Sequence, residues 1–313
     1  MNLAKGELKI NTKYKLPNFL IVGAPKAGTT SLYHYLSKHP QVFMSKVKEP
    51  KFFSYISGHR NFNGPGDSEG ERDIIKTFEE YKRLFLNSNG SKILGECSVD
   101  SLYYYESVIP KIKEHLGKEV KIFIILRNPI DRAYSSYIYH LRDGRENLSF
   151  ENALNEEEKR IKDNWEFMWH YKSVGLYFNQ VSAYLENFKN TKVCLFEDLK
   201  INPHCLMKEL FNFLDVDSEF VPDDLETKYN ESGIPRHRSL YNFLNKPNPF
   251  KSVIKNFLPK NFRIKLKNKF MHKLLVKAER MNADTRKYLI DFYKEDIIRL
   301  QKLIDRDLSR WLT

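Results

Sequence analysis

The sequence predicts an α/β fold of three layers, αβα, built around a central parallel sheet. Apolar runs of strand length alternate along the chain with segments of helical spacing, the pattern of a parallel sheet covered by helices. The first run also leads into a loop with two spaced glycines, Gly23 and Gly28, and a helical segment follows at once. Ligands of such sheets bind beyond the carboxyl ends of the strands, so this loop marks the expected binding edge.

Each element is predicted from its own pattern. Four continuous apolar runs are expected to be buried strands: 18–23, 92–96, 120–127 and 192–197. Helices are expected at 29–38, from Pro129 to a glycine stop, and at 203–214, with a helix-rich region at 151–189. Pro129 suits a first helical turn, where its missing N–H costs nothing. The stretch 283–304 has helical apolar spacing, whereas 262–270 fits a strand or a helix.

Size and composition favour one domain over residues 1–313, since a chain that is 41% hydrophobic can bury a full core. Within it we distinguish a polar N-terminal arm (1–16), a basic segment (232–278) and a C-terminal helical region (279–313). The N-terminus lacks the apolar run of a signal peptide, and the apolar strings are too short to span a bilayer. Three cysteines without a C-x-x-C pair argue against disulfides and zinc. We expect a cytoplasmic protein.

The net charge of +12 is concentrated in the basic segment. Residues 232–278 contain twelve Lys and Arg residues and no Asp or Glu, so the remainder of the chain is neutral on balance. The side chains of this segment either form a solvated face or create a positive electrostatic field that attracts an anionic ligand, an acceptor or a membrane surface. We find no nucleic-acid-binding motif and expect no nucleic acid partner.

The stretch "IVGAPKAGTTSL" (21–32) has the glycine spacing of an ATP-binding loop but not its lysine. That loop, G-x-x-x-x-G-K-[ST], has a lysine directly after the second glycine. Thr29 stands at this position, and the lysine, Lys26, lies inside the loop. Backbone N–H groups around Ala27 and Gly28, together with the hydroxyls of Thr29, Thr30 and Ser31, can still receive a phosphate at the start of the helix. The alternative is an ordinary strand-to-helix turn.

Several motifs resemble the sulfotransferases that use 3′-phosphoadenosine 5′-phosphosulfate (PAPS). "APKAGTTSL" is similar to their 5′-phosphosulfate loop, and "ILRNPIDRAYSSYIYHLRDG" resembles their 3′-phosphate motif, with Arg127 and Ser135 as its arginine and serine. "SKVKEPKFFS" resembles the K-E-x-x-F-F element of the carbohydrate-sulfating branch. "GECSVDSLYY" resembles G-E-x-[ST]-P-x-Y, although Val99 replaces the proline. The resemblance covers nearly the whole chain and implies a P-loop-like sulfotransferase fold.

The resemblance implies a role for each site residue. Lys26 would lie by the bridging oxygen of PAPS and Glu49 would be the general base, with Glu96 as the rival carboxylate; no metal is required. Lys48, Lys51, Glu96 and Ser98 are expected near the acceptor. The family's R-K-G tripeptide is absent, and Arg236 and Arg238 are its nearest substitutes. Phe196 is either an adenine-stacking ring or a core residue.

The predicted function is sulfuryl transfer from PAPS to a carbohydrate, or to a glycosylated or other small molecule. Two alternatives remain open from the residues. One is a P-loop kinase using ATP, which the displaced lysine disfavours. The other is a non-catalytic binder of anionic polysaccharide, in which the basic segment would make the contacts. The oligomeric state is not predicted.

Overall fold

The computed structural model of the protein describes residues 15–71, 73–88, 90–225, 233–235, 275–276 and 278–313. Its main sheet has five strands in the order β2-β3-β1-β4-β5, all parallel. The strands are β1 Phe19–Gly23, β2 Val42–Met44, β3 Ile93–Cys97, β4 Lys121–Leu126 and β5 Thr191–Leu195. Two short strands, β6 Ile234–Pro235 and β7 Leu275–Val276, pair antiparallel.

Helices flank the sheet, which confirms the predicted α/β fold with a parallel sheet. The helices up to β5 are α1 Thr29–Leu36, α2 Phe52–Ile56, α3 Asp67–Gly70, α4 Phe78–Arg83, α5 Tyr105–Leu116, α6 Pro129–Arg142, α7 Phe150–Asn155, α8 Glu157–Lys162 and α9 Tyr177–Asn187. After β5 follow α10 Phe196–Ile201, α11 Pro203–Phe213 and α12 Ala283–Ile304. Short 3₁₀ turns are Phe167–Trp169, Ser173–Gly175 and Ser309–Leu312.

The predicted strands are confirmed with shifts of one or two residues at their ends, but two assignments were wrong. Strand β2 was missed, because it has only three residues and gives no long apolar run. Phe196 and Glu197 were assigned to the strand that is β5, yet they begin α10. The Asp198 carboxylate accepts a hydrogen bond from Leu195 N–H over 3.1 Å, and this helix cap ends the strand. Helix α1 ends at Leu36 rather than at Lys38.

The strand order opens a crevice beside the central strand β1. The chain after β1 leads to β2 on one side of the sheet, whereas the chain after β4 leads to β5 on the other. Such a reversal separates the two connections and leaves a crevice at the carboxyl ends of β1 and β4. Every residue of β1 is buried, because helices cover both faces of the sheet. The loop after β1 and the residues after β4 therefore meet at this crevice.

Helix α12 packs against α9 and α6. Its buried residues Leu289, Tyr293, Ile297 and Leu300 recur every three or four positions and form one apolar face. Asp296 on the same helix accepts hydrogen bonds from the Tyr177 and Phe178 N–H groups, which are free donors in the first turn of α9. Of the helices that the structure describes, none is long and apolar enough to cross a membrane.

Candidate functional site

The loop after β1 has the backbone of a phosphate-binding turn. Lys26 and Gly28 have positive φ angles of 65° and 87°, and α1 begins at Thr29. A Cβ on Gly28 would lie 2.8 Å from Leu199 Cδ2 and 2.9 Å from Phe196 Cε2, so only glycine fits without displacing α10. No side chain caps α1. Its first N–H groups are therefore available to an anion at the positive end of the helix dipole.

Lys26 is a half-buried cation close to other cations. Its Nζ lies 4.7 Å from the centroid of the Tyr139 ring. Burial first, and then the nearby Arg142 and Arg127 guanidinium groups, lower the pKa of Lys26 to about 8. A bound anion would offset this repulsion. The position therefore favours a negatively charged ligand.

Arg127 follows β4 and meets the loop across the crevice. Its Nη1 donates to the Lys26 carbonyl over 3.0 Å, and its guanidinium lies 5.2 Å from the Phe196 ring centroid. Ser135 lies in α6 and is 6% exposed; its Oγ has no hydrogen-bond partner among the described residues. Buried hydroxyls usually have a partner, so this one suits a ligand atom. Phe196 is half-buried beside the loop.

Glu49 lies in the segment between β2 and α2. Its Oε1 accepts a hydrogen bond from Lys48 Nζ over 2.7 Å, and its Oε2 accepts one from Val99 N–H over 2.9 Å. The side chain is 23% exposed, so the carboxylate is both held in place and accessible. Because Glu49 N–H donates to the Cys97 carbonyl, the segment is also tied to the end of β3.

The two lysines that flank Glu49 in sequence have different partners. Burial opposes the charge of Lys48, but several neighbouring groups, the Glu49 carboxylate first among them, together outweigh it and raise the pKa of Lys48 above its usual value. Lys51 Nζ pairs instead with Glu166 Oε1, at 2.5 Å. Glu166 was not predicted, because it is 115 residues away in sequence. Lys51 therefore contributes its charge to a fixed ion pair, whereas Lys48 stays with the candidate base.

Glu96 and Asp100 form a buried pair of carboxyl groups behind Glu49. Glu96 is 2% exposed and accepts from Ser98 Oγ over 3.0 Å; burial raises its pKa to about 8. Asp100 is 3% exposed and accepts from Ser54 Oγ over 2.5 Å; burial raises its pKa to about 6. Glu96 is therefore largely protonated at neutral pH and inaccessible, which disfavours it as the base. Asp100 was missed, although its place after a strand is a usable signal.

Replacing Glu96 by Gln is expected to stabilise the protein at high pH. The folded-state pKa of Glu96, about 8, lies above the ordinary value of 4.5, so the folded state holds the proton more tightly. The wild-type free energy of unfolding then falls as the pH rises from 4.5 to about 8. Gln has no proton to lose. Denaturant unfolding should show Glu96→Gln gaining a few kcal/mol relative to wild type between about pH 5 and about pH 9; a pH-independent difference would contradict the assignment.

A cleft with a volume of about 710 Å³ lies beside the segment that carries Glu49. Its lining is mainly charged and isoleucine-rich: Lys46, Val47, Lys48, Asp73, Ile74, Ile75, Lys76 and Glu80. Since Lys48 belongs to this lining and also pairs with Glu49, the cleft adjoins the candidate base. Lys46, Lys76 and Asp73 were not predicted as site residues.

Some predicted features lie outside the described residues. These are Arg236, Arg238, most of the basic segment and nearly all of the polar arm, so their roles stay predictions. Within the described ranges, no group of three or more His, Cys, Asp or Glu side chains is placed to hold a metal ion.

The fold and the cationic loop are typical of proteins that bind a phosphorylated ligand. The chain belongs to the sulfotransferase family, since a family model described as "Sulfotransferase domain" matches residues 16–285. This confirms the resemblance seen in the sequence motifs. The chain is similar to a sulfotransferase from Alicyclobacillus acidocaldarius of known crystal structure, with 34% identity and a TM-score of 0.76 over 96% of this chain and 100% of that one.

Curated relatives include enzymes named for carbohydrate substrates. The chain is 29% identical to mouse bifunctional heparan sulfate N-deacetylase/N-sulfotransferase 2 over 213 residues, which is 66% of this chain and 23% of that protein. It is 26% identical to human carbohydrate sulfotransferase 15 over 174 residues, which is 45% of this chain and 30% of that protein. The chain thus spans less than a third of either relative.

Proposed function

We propose that the protein transfers a sulfuryl group from PAPS to a hydroxyl or amine of a carbohydrate or of a glycosylated small molecule. The observation that carries this proposal is the meeting of Lys26 and Arg127 at the carboxyl ends of β1 and β4. Two cations and a glycine-containing loop at a helix start suit a nucleotide with separate phosphate groups. Membership of the sulfotransferase family supports PAPS rather than ATP as that nucleotide.

On the donor side, the residues divide between the two phosphate positions of PAPS. The N–H groups at the start of α1 and the Lys26 ammonium would hold the 5′-phosphosulfate. Arg127 and the Ser135 hydroxyl, which has no hydrogen-bond partner in the part of the chain that the structure describes, would hold the 3′-phosphate. The half-buried Phe196 ring, which lies beside both Gly28 and Arg127, would stack on adenine.

The reaction is a displacement at sulfur. The acceptor oxygen or nitrogen forms a bond to sulfur as the bond between sulfur and the phosphate oxygen breaks. Glu49 takes the acceptor proton, and 3′-phosphoadenosine 5′-phosphate leaves with the electron pair. Lys26 reduces the cost of the charge that develops on the leaving phosphate, an electrostatic effect on the transition state.

The cleft beside Glu49 is the proposed acceptor site. The carboxylates of Asp73 and Glu80 can accept hydrogen bonds from sugar hydroxyls, and Lys46 and Lys76 can donate to them. The names of the curated relatives support a carbohydrate as the acceptor class. Catalytic turnover of a saccharide with labelled PAPS would separate a transferase from a non-catalytic polysaccharide binder on the same scaffold.

The donor assignment is tested by nucleotide binding. 3′-Phosphoadenosine 5′-phosphate is expected to raise the melting temperature far more than ATP does. Arg127→Ala should weaken binding of this nucleotide roughly 10- to 100-fold, because a charge-assisted contact is lost. The same variant should weaken binding of adenosine 5′-phosphosulfate much less, because this nucleotide has no 3′-phosphate. Arg83→Ala, at an exposed arginine of α4, is the matched control. Equal losses of affinity for the two nucleotides would mean that Arg127 does not contact the 3′-phosphate.

A further inference from the structure

The segment that carries Glu49 is tied to β3 by hydrogen bonds, three of which involve residues 97–99 at the end of the strand. Glu49 N–H donates to the Cys97 carbonyl over 2.9 Å, and Lys51 N–H donates to Ser98 Oγ over 3.0 Å. The third bond runs from Val99 N–H to Oε2 of Glu49 over 2.9 Å. The first two bonds fix the backbone of the segment. Only the third reaches the carboxylate that would act as the base.

We propose that Val99 is a positioning residue whose backbone N–H orients the Glu49 carboxylate toward the acceptor. The inference rests on the proposed function, in which Glu49 accepts the acceptor proton. Lys48 Nζ holds Oε1, and Val99 N–H holds Oε2, so the carboxylate is fixed at both oxygens. Each oxygen keeps a further lone pair for the incoming proton. Without Val99 N–H, the carboxylate would be free to turn and follow the flexible Lys48 side chain.

The backbone of the segment does not hold this geometry by itself. Glu49 and Lys51 both have positive φ angles, 61° and 50°, on the two sides of Pro50. Side-chain-bearing residues adopt this left-handed conformation only when the surrounding structure maintains it. The contacts with β3 provide that support. The orientation of Glu49 therefore depends on the residues just after β3, Val99 among them.

The residue type at position 99 matters because the bond to Glu49 Oε2 needs a backbone N–H. The segment 95–104 resembles G-E-x-[ST]-P-x-Y, and Val99 occupies the proline position. Proline has no N–H, so the motif's usual residue cannot donate to the carboxylate. This chain thus has a donor to its candidate base that the motif's own residue would remove.

The test compares Val99→Pro, which removes the N–H, with Val99→Ala, which keeps it. Val99→Pro is expected to lower kcat for sulfuryl transfer roughly 10- to 100-fold, the loss expected for one hydrogen bond to a charged group. The KM for PAPS and the affinity for 3′-phosphoadenosine 5′-phosphate should stay unchanged, because Val99 is not among the residues proposed to hold the nucleotide. Val99→Ala should keep kcat within about threefold of wild type, since its backbone donor is intact.

A double mutant tests whether Val99→Pro lowers the rate through Glu49. In a Glu49→Gln background, Val99→Pro should reduce single-turnover rates little further, because the group that it orients is already disabled. The inference is overturned if folded Val99→Pro keeps wild-type kcat, if Val99→Ala loses as much as Val99→Pro, or if the two losses multiply in the double mutant. Should Val99→Pro fail to fold, replacing Val99 by its α-hydroxy acid analogue removes the N–H by turning the amide between residues 98 and 99 into an ester, and the same outcomes decide.

The single variant Glu49→Gln separates this inference from the proposed function. If Glu49→Gln is inactive and Val99→Pro is fully active, the proposed base stands and the role of Val99 is wrong. If Glu49→Gln is active, the base itself is misassigned.

Discussion

Lys26→Ala should lose sulfuryl transfer by roughly 10²–10³-fold while the protein keeps its fold. The lysine is half-buried at the crevice, and its ammonium lies 4.7 Å from the centroid of the Tyr139 ring. Removing it takes away a cation from the transition state but little packing, and it relieves repulsion with Arg127 and Arg142. The melting temperature should therefore move little. Activity with labelled PAPS and thermal unfolding give the two readouts.

The same lysine should make nucleotide binding pH-dependent. The pKa of Lys26 is about 8 in the free protein, and an anion binds the protonated amine more tightly. Affinity for 3′-phosphoadenosine 5′-phosphate should then fall as the pH rises through about 8, where the lysine loses its charge. Calorimetry between about pH 7 and about pH 9 measures this. Lys26→Ala should flatten the profile, and Lys111→Ala, on α5, should not. Retained activity or a collapsed fold in Lys26→Ala would reject the loop assignment.

Glu49→Gln is expected to lower turnover by roughly 10²–10⁴-fold, the range for a positioned proton acceptor. The amide keeps the shape of the side chain and an oxygen that can accept from Val99 N–H, but it cannot take a proton from the acceptor. Nucleotide affinity should be nearly unchanged, because Lys26 and Arg127 are intact. Steady-state kinetics with a saccharide acceptor measure the turnover, and binding of 3′-phosphoadenosine 5′-phosphate measures the affinity.

The control for this variant is Glu114→Gln, at an exposed carboxylate on α5 that pairs with Lys111 at 2.8 Å. It should leave kcat as in wild type. An active Glu49→Gln protein would mean that the base lies elsewhere. Glu96 would be tested next, although its burial makes it a poor proton acceptor from a bound ligand.

The sheet was largely predictable from the sequence because its strands bury both faces. The runs that became β1 and β4 are continuous and apolar. This pattern is typical of parallel strands that are buried on both faces, as nearly every residue of these two strands is. β2 was not predictable, since three residues carry too little pattern. The end of β5 was misplaced because Phe196 is as compatible with a strand as with the first turn of a helix; the Asp198 cap decided between them.

The residue types of the site were predictable, but their pairing was not. Lys26, Arg127 and Glu49 follow from motifs that keep their local spacing. The partner of Lys51 does not follow from a motif, because this partner, Glu166, lies after α8 in the chain. Adjacency in sequence suggested that Lys51 would flank Glu49, and a left-handed backbone turned it toward Glu166 instead. Tertiary contacts of this kind have no periodicity that a single sequence reveals.

The long separations within the site limit how it can be transplanted. Arg127 supports the loop from 101 residues away, and Val99 reaches Glu49 across 50. Helix α10 fills the space beside Gly28, because Leu199 and Phe196 pack where a side chain at position 28 would lie. A short cassette grafted onto another scaffold would bring the glycines and the lysine without the surfaces that shape them. Engineering that aims to move this chemistry must move the sheet with it, whereas the cleft beside Glu49 can be redesigned in place.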